Sequence, residues 1–103
     1  MTGTSFKHIE KLIRLVKNGD TTSLIKLRQE LGKTQKEVAN KIGISEGQFG
    51  RWERGEQKPS RWHHIHWKLK LSYYIDDVIA ETLGTKDSEL NTQLWELMWR
   101  LLD

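Results

Sequence analysis

The sequence contains no cysteine. Disulfide frameworks, thiol nucleophiles and cysteine-based zinc sites are therefore excluded, and the composition suits a reducing cytosol. No apolar run approaches the roughly 20 residues that span a bilayer, and residues 1–5 lack the apolar core of a secretory signal. From these absences we expect a cytoplasmic protein without a membrane partner.

The sequence also has little that supports catalysis. It offers no constellation of nucleophile, base and orienting group, no paired carboxylates in an apolar setting and no phosphate-binding glycine loop. His63, His64 and His66 raise the question of a metal site, but no carboxylate lies at a matching spacing beside them. We therefore expect no enzyme, no cofactor and no metal.

Proline is nearly absent, and this shapes the predicted fold. The single proline is Pro59, and the apolar residues recur at helical rather than alternating spacing. A chain of 103 residues has room for one compact domain and one or two additional helices. We predict an all-α protein with short connections.

Charge is distributed unevenly along the chain. Residues 1–20 carry four basic and two acidic groups, residues 21–71 carry eleven and five, and residues 72–103 carry two and seven. The net charges of these blocks are +2, +6 and −5. A basic middle with an acidic end indicates one surface facing a polyanion and another avoiding it or facing a protein; random clustering of solvated charge is the alternative.

Apolar spacing and end signals place the helices. The expected core residues of the helix that Pro59-Ser60 starts are Trp62, Ile65 and Leu69. The first helix should have one apolar stripe, formed by Phe6, Ile9, Ile13 and Val16. The predicted helices cover about 5–17, 22–31, 34–43, 45–55, 60–71, 73–83 and 88–102.

Two sequence signals mark a pair of short helices joined by a tight turn. Thr34 and Glu37 have the spacing of a capping box, and Ser45 and Gln48 repeat that spacing. Gly43 lies between the two, where a left-handed residue costs glycine little. We predict that the second of these helices starts at Ser45.

These features combine into a recognisable pattern. Residues 22–71 resemble the helix-turn-helix family of phage repressors, Cro proteins and xenobiotic-response-element (XRE) regulators. The resemblance implies a compact lambda-repressor-like five-helix-type DNA-binding domain, with an extra N-terminal helix and a C-terminal amphipathic helix. The residues that carry it are Leu31-Gly32, Thr34-Gln35, Ala39, Gly43-Ile44-Ser45, Arg51-Trp52-Glu53-Arg54-Gly55 and Glu56 to Ser60.

The resemblance also implies how the chain is divided. Residues 1–20 would form an accessory helix, residues 21–84 the helix-turn-helix domain, and residues 85–103 a C-terminal helix for dimerisation. The motif itself would span residues 34–54. Arg28 and Glu53 match positions that often form a buried ion pair in the family.

Helical geometry separates a core face from a DNA-reading face in the second motif helix. If Phe49 and Trp52 point inward, the outward residues are Glu46, Gly47, Gly50, Arg51 and Arg54. In this motif the second helix enters the major groove. Arg51 is the favoured base reader because a guanidinium can bond guanine O6 and N7 together, with phosphate contact as the alternative.

Three residues of this face depart from the family pattern. Glu46 either accepts from cytosine N4 or offsets a neighbouring arginine, or it only stabilises the helix dipole. Gly47 and Gly50 indicate a backbone that approaches DNA closely, with fewer side-chain contacts to bases. Part of the specificity would then depend on DNA shape.

By resemblance, Gln35 bonds a phosphate from the start of the first motif helix, with basic residues beside it. Gln48 would also face the DNA backbone, although its capping role explains it equally well. The complete set of expected DNA contacts is Gln35, Lys36, Ser45, Glu46, Gly47, Gln48, Gly50, Arg51, Arg54, Lys58 and Arg61.

The last predicted helix carries more Leu and Trp than packing on one small domain needs. Part of this surface must be covered, and packing on the first helix and the repressor-like core is the alternative to a dimer contact. We expect a homodimer interface through Leu90, Leu94, Trp95, Leu97, Met98, Trp99, Leu101 and Leu102. The sequence therefore favours a transcriptional repressor or autoregulator that binds double-stranded operator DNA as a homodimer. The alternative is a protein-interaction or antitoxin-like module that uses the same fold to bind a protein partner.

Overall fold

The computed structural model describes residues 6–84 and 88–102. The described residues are helical and contain no strand, as the all-α prediction requires. The elements are α1 (Phe6–Asn18), α2 (Thr21–Glu30), α3 (Gln35–Ile42), α4 (Glu46–Glu53), α5 (Arg61–Leu83) and α6 (Ser88–Leu101).

One hydrophobic core collects residues from all six helices. Trp52, Trp67 and Phe49 are its largest side chains, and each is at most 2% exposed. The Phe49 ring meets the Trp67 ring edge-on at a centroid separation of 4.9 Å. This aromatic contact fixes α4 against α5, so the orientation of the second motif helix is set by the core.

The first helix contributes four residues to the core, three of which the sequence predicts. Ile9, Leu12, Ile13 and Val16 are fully buried, and α1 packs on α2, α5 and α6. Phe6, predicted to join this apolar face, is instead 56% exposed. It occupies the first position of the helix, where little of the fold lies beside it.

α5 differs most from the prediction. A single helix of 23 residues replaces the two predicted around position 72. Ser72 is compatible with the helix interior because its hydroxyl donates to the carbonyl of Lys68, at 2.9 Å. The expected core residues are also wrong: Trp62, Ile65 and Leu69 are exposed. The buried positions of α5 are Trp67, Leu71, Ile75 and Ile79.

Candidate nucleic-acid interface

The turn between α3 and α4 is built from local interactions. Gly43 ends α3 in the left-handed conformation with φ of 88°, and its N–H donates to the carbonyl of Ala39. Thr34 and Glu37 form the predicted capping box at the start of α3. Hydrogen bonding to Thr34 lowers the pKa of Glu37, so the box holds an ionised carboxylate at neutral pH.

Ser45 is the N-cap of α4, which places the start of this helix where the sequence predicts it. Its hydroxyl accepts from the backbone N–H of Gln48 at 3.1 Å. The predicted box is only half formed, since the described hydrogen bonds include none from the Gln48 side chain back to Ser45. The Gln48 side chain is thus not committed to this cap.

α4 has the two faces expected of a DNA-reading helix. Phe49 and Trp52 point into the core, whereas Glu46, Gly47 and Arg51 are exposed. Nothing lies within 4 Å of the point that a Cβ on Gly47 would occupy. A surface can therefore approach the backbone of α4 at Gly47 without meeting another side chain.

Gly50 is predicted to lie on the exposed face of α4, and the structure shows otherwise. It is buried, and a Cβ there would lie 3.0 Å from Arg54 Nη1 and 3.6 Å from Gln35 Oε1. The expectation that Gly50 offers open backbone is wrong for the unbound protein, because these two long side chains cover it. Its lack of a side chain instead makes room for the Arg54 guanidinium to lie across the helix.

A buried ion pair connects α2 with α4. Arg28 donates to Glu53 through Nε at 2.7 Å and through Nη2 at 3.0 Å, which is a bidentate contact. The side chains of Arg28 and Glu53 are 13% and 7% exposed. The structure therefore confirms the ion pair that the family resemblance implies.

Gln35 joins this ion pair, and the sequence did not indicate the link. Its Nε2 donates to Glu53 Oε1 at 2.8 Å, so the first residue of α3 is tied to the last residue of α4. The same amide nitrogen has a second hydrogen, which remains for an acceptor such as a phosphate oxygen. Gln35 is half-buried at the start of α3.

Arg54 is exposed but paired. Its Nε donates to the carboxylate of Glu56, and this hydrogen bond lowers the pKa of Glu56 and raises that of Arg54. Both side chains are more than half exposed, so the pair is weakened by solvent and salt. An anion that approaches Arg54 has to compete with Glu56.

Four more of the residues predicted to contact DNA are basic. The side chains of Lys36, Arg51, Lys58 and Arg61 are exposed, and among the described residues these side chains make no hydrogen bond or ion pair. The charge of Arg51 is nevertheless close enough to Glu56 to help lower the pKa of that carboxyl. Arg51 lies in the last turn of α4, where its charge also favours the helix dipole. These four cations are free to meet a polyanion.

The histidines of α5 act as packing and capping groups. His63 Nδ1 lies 3.0 Å from the Ser60 hydroxyl, and His64 Nε2 lies 2.6 Å from the carbonyl oxygen of Gly19. The His66 ring stacks against Trp62 at 4.4 Å. Within residues 6–84 and 88–102, no cluster of three or more ligating side chains is arranged to hold a metal ion.

The predicted dimerisation residues of α6 divide into two groups. Met98 is 9% exposed and belongs to the core, and Leu94, Trp95 and Leu102 pack partly against it. The chain itself therefore covers part of this apolar set, because α6 docks on α1 and α5, which is the alternative that the sequence left open. The residues that stay exposed are Leu90, Leu97, Trp99 and Leu101.

The segment that contains α3 and α4 is similar to a known protein family. Residues 24–61 match the family model described as helix-turn-helix, which spans α3, α4 and their flanking elements. This segment belongs to the helix-turn-helix family. No curated protein and no solved structure matched the chain.

The match to the helix-turn-helix family indicates a general activity. Its family binds DNA in transcription regulation and is not a family of enzymes. α4 is the second helix of the motif, the helix that enters the major groove in helix-turn-helix proteins. In the part of the chain that is described, no helix combines the length and apolarity needed to cross a bilayer.

Proposed function

We propose that the protein is a sequence-specific transcriptional regulator, a repressor or autoregulator, that binds an inverted-repeat operator as a homodimer. The observation that carries this proposal is the outer face of α4. The Arg51 guanidinium is exposed on this face and makes no hydrogen bond or ion pair among the described residues, and the open backbone at Gly47 lies one turn before it. An exposed guanidinium on the second motif helix is suited to bidentate contact with guanine in the major groove.

The basic residues around α4 support a role for phosphate contacts. Lys36 follows Gln35 in the first turn of α3, where free backbone amides favour an anion. Lys58 and Arg61 lie on either side of Pro59 at the start of α5 and line one surface cleft. Contacts of this kind position a protein on the duplex, while Arg51 would provide the sequence preference.

The dimer part of the proposal is supported by exposed apolar surface. Exposed apolar side chains remain on both α5 and α6: Trp62 and Ile65 are 63% and 57% exposed, and Leu97 and Leu101 are 53% and 70% exposed. Large exposed aliphatic side chains on one helix are typical of protein interfaces. A two-fold dimer would place the two copies of α4 about 34 Å apart, the spacing of one helical turn of DNA.

The proposal is tested by equilibrium binding to a duplex taken from the region upstream of the protein's own coding sequence. Fluorescence anisotropy over a salt series should show log affinity falling linearly with log salt concentration. Arg51→Ala should reduce the preference over a scrambled duplex by roughly 5–150-fold, the loss of about 1–3 kcal/mol of base readout.

A matched variant separates base contact from phosphate contact. Lys36→Ala should weaken binding to both duplexes by the same factor and reduce the salt slope by about one. If the wild type does not distinguish its upstream duplex from the scrambled one, autoregulation at that site is refuted. Equal losses on both duplexes for Arg51→Ala would make Arg51 a phosphate contact.

A further inference from the structure

The outward face of α5 is apolar. Trp62, Ile65, Leu69 and Tyr73 are 63%, 57%, 43% and 52% exposed, and we call these four residues the outer stripe. They recur at intervals of three and four along α5, so they lie in one row on the helix surface. Sequence periodicity assigned three of them to the core, but the core is on the opposite side of the helix.

The exposed area of the outer stripe is large for a small protein. With about 150–250 Å² for a full aromatic side chain and somewhat less for Ile and Leu, the four residues expose roughly 450 Å². The largest apolar patch of a typical monomer covers about 300–600 Å² and is often functional. The stripe alone supplies slightly more than half of the roughly 800 Å² that each partner contributes to a stable interface.

The outer stripe continues onto α6. Tyr73 lines a surface cleft together with Trp95 and Trp99. Trp95 donates from its indole nitrogen to the Asp76 carboxylate, which ties α6 to the end of the stripe. The exposed part of Trp99 therefore adds to the same apolar surface, on the side of α6 that faces away from Leu97.

Three residues of the outer stripe are spaced symmetrically about Leu69, whereas the position symmetric to Trp62 is Asp76. The row has opposite charges at its two ends. Ile65 and Tyr73 lie four residues before and after Leu69, and Arg61 and Asp77 lie eight before and after it. If two copies of α5 pair antiparallel, Leu69 meets itself and Ile65 meets Tyr73. Arg61 then approaches the Asp77 carboxylate of the other copy, and in the dimer it serves this ion pair and leaves the phosphate contacts to Lys36 and Lys58. A parallel pair would instead bring like charges together.

We infer that the outer stripe is the contact between two copies of this chain, with the two-fold axis passing at Leu69. The inference rests on the proposed homodimer and specifies its interface. A self-complementary patch of this kind needs no second surface, because the same residues serve both copies. The exposed leucines of α6, Leu97 among them, then lie away from the two-fold axis.

The absence of cysteine gives a direct test. Helices in contact lie about 8–10 Å apart, which brings facing residues on a two-fold axis within the roughly 4.4–6.8 Å Cα separation of a disulfide. Leu69→Cys carries one thiol per chain and should form a covalent dimer under mild oxidation. Leu97→Cys, an equally isolated thiol at a 53% exposed position of α6, is the matched control and should remain monomeric.

A mixture of two variants tests the register. Ile65→Cys and Tyr73→Cys should cross-link to each other in preference to themselves, which mass spectrometry of the disulfide-linked peptides can count. A second measurement avoids oxidation: Leu69→Glu should reduce the sedimentation mass from twice 12.1 kDa to one chain without loss of helicity.

The experiments distinguish a wrong interface from a wrong function. Faster cross-linking of Leu97→Cys than of Leu69→Cys would overturn the outer stripe and move the dimer contact to α6, with the proposed function intact. An unchanged dimer in Leu69→Glu would overturn it as well. A wild type that is monomeric at micromolar concentration, and does not dimerise on DNA, would contradict both the interface and the proposed homodimer.

Discussion

Replacing Arg28 by Ala should be among the most damaging single changes to the helix-turn-helix domain. The Glu53 side chain is 7% exposed and accepts two hydrogen bonds from Arg28 and one from Gln35. Without Arg28, a buried carboxylate would keep a single neutral donor. Breaking such a buried pair costs about 3–5 kcal/mol. For a domain of this size that corresponds to a fall in Tm of roughly 12 °C or more.

The assay is thermal and urea unfolding at fixed protein concentration, followed by circular dichroism. Lys11→Ala is the matched control, because it removes an ion pair with Glu30 that is exposed to solvent, and it should leave Tm unchanged. The double variant Arg28→Met with Glu53→Met removes both charges and should be more stable than Arg28→Ala. A Tm for Arg28→Ala equal to that of Lys11→Ala would refute the reasoning.

Two further changes test the local structure. Gly43→Ala should cost roughly 1–2 kcal/mol in urea unfolding, since the space beside Gly43 is open and only its φ of 88° opposes a side chain; an unchanged midpoint would show that the α3–α4 turn can relax. Burial raises the pKa of Asp76, so the folded state binds its proton more readily than the unfolded chain, and the stability from this group is lost as pH rises through the folded pKa. Asp76→Asn keeps an oxygen that accepts from the Trp95 indole N–H. The urea midpoint of Asp76→Asn minus that of the wild type should therefore be larger at about pH 7 than at about pH 4. The same difference at both pH values would contradict this prediction.

The features that sequence could predict are those fixed within a few residues. The caps at Thr34 and Ser45 and the left-handed Gly43 depend on neighbouring backbone groups, and all three appear where the residues indicate them. The inward direction of Phe49 and Trp52 follows from the three-residue spacing between them. These elements define the motif before any long-range contact is known.

The features that sequence could not predict depend on contacts between distant segments. α5 carries apolar residues on two opposite faces, and periodicity alone cannot tell which one packs on Phe49. The cover over Gly50 comes from Gln35 on another helix and from the direction that Arg54 takes. No spacing in the sequence indicates that Gln35 shares an acceptor with Arg28.

The central claim is that the outer face of α4 reads base sequence in the major groove. Selection of bound duplexes from a randomised library, with wild type and Arg51→Ala in parallel, tests it most directly. The wild type should enrich an inverted repeat with half-sites about one helical turn apart, and Arg51→Ala should lose the preference at one position in each half-site, most simply a guanine. Enrichment of no sequence by the wild type, or the same sequence from both proteins, would contradict it.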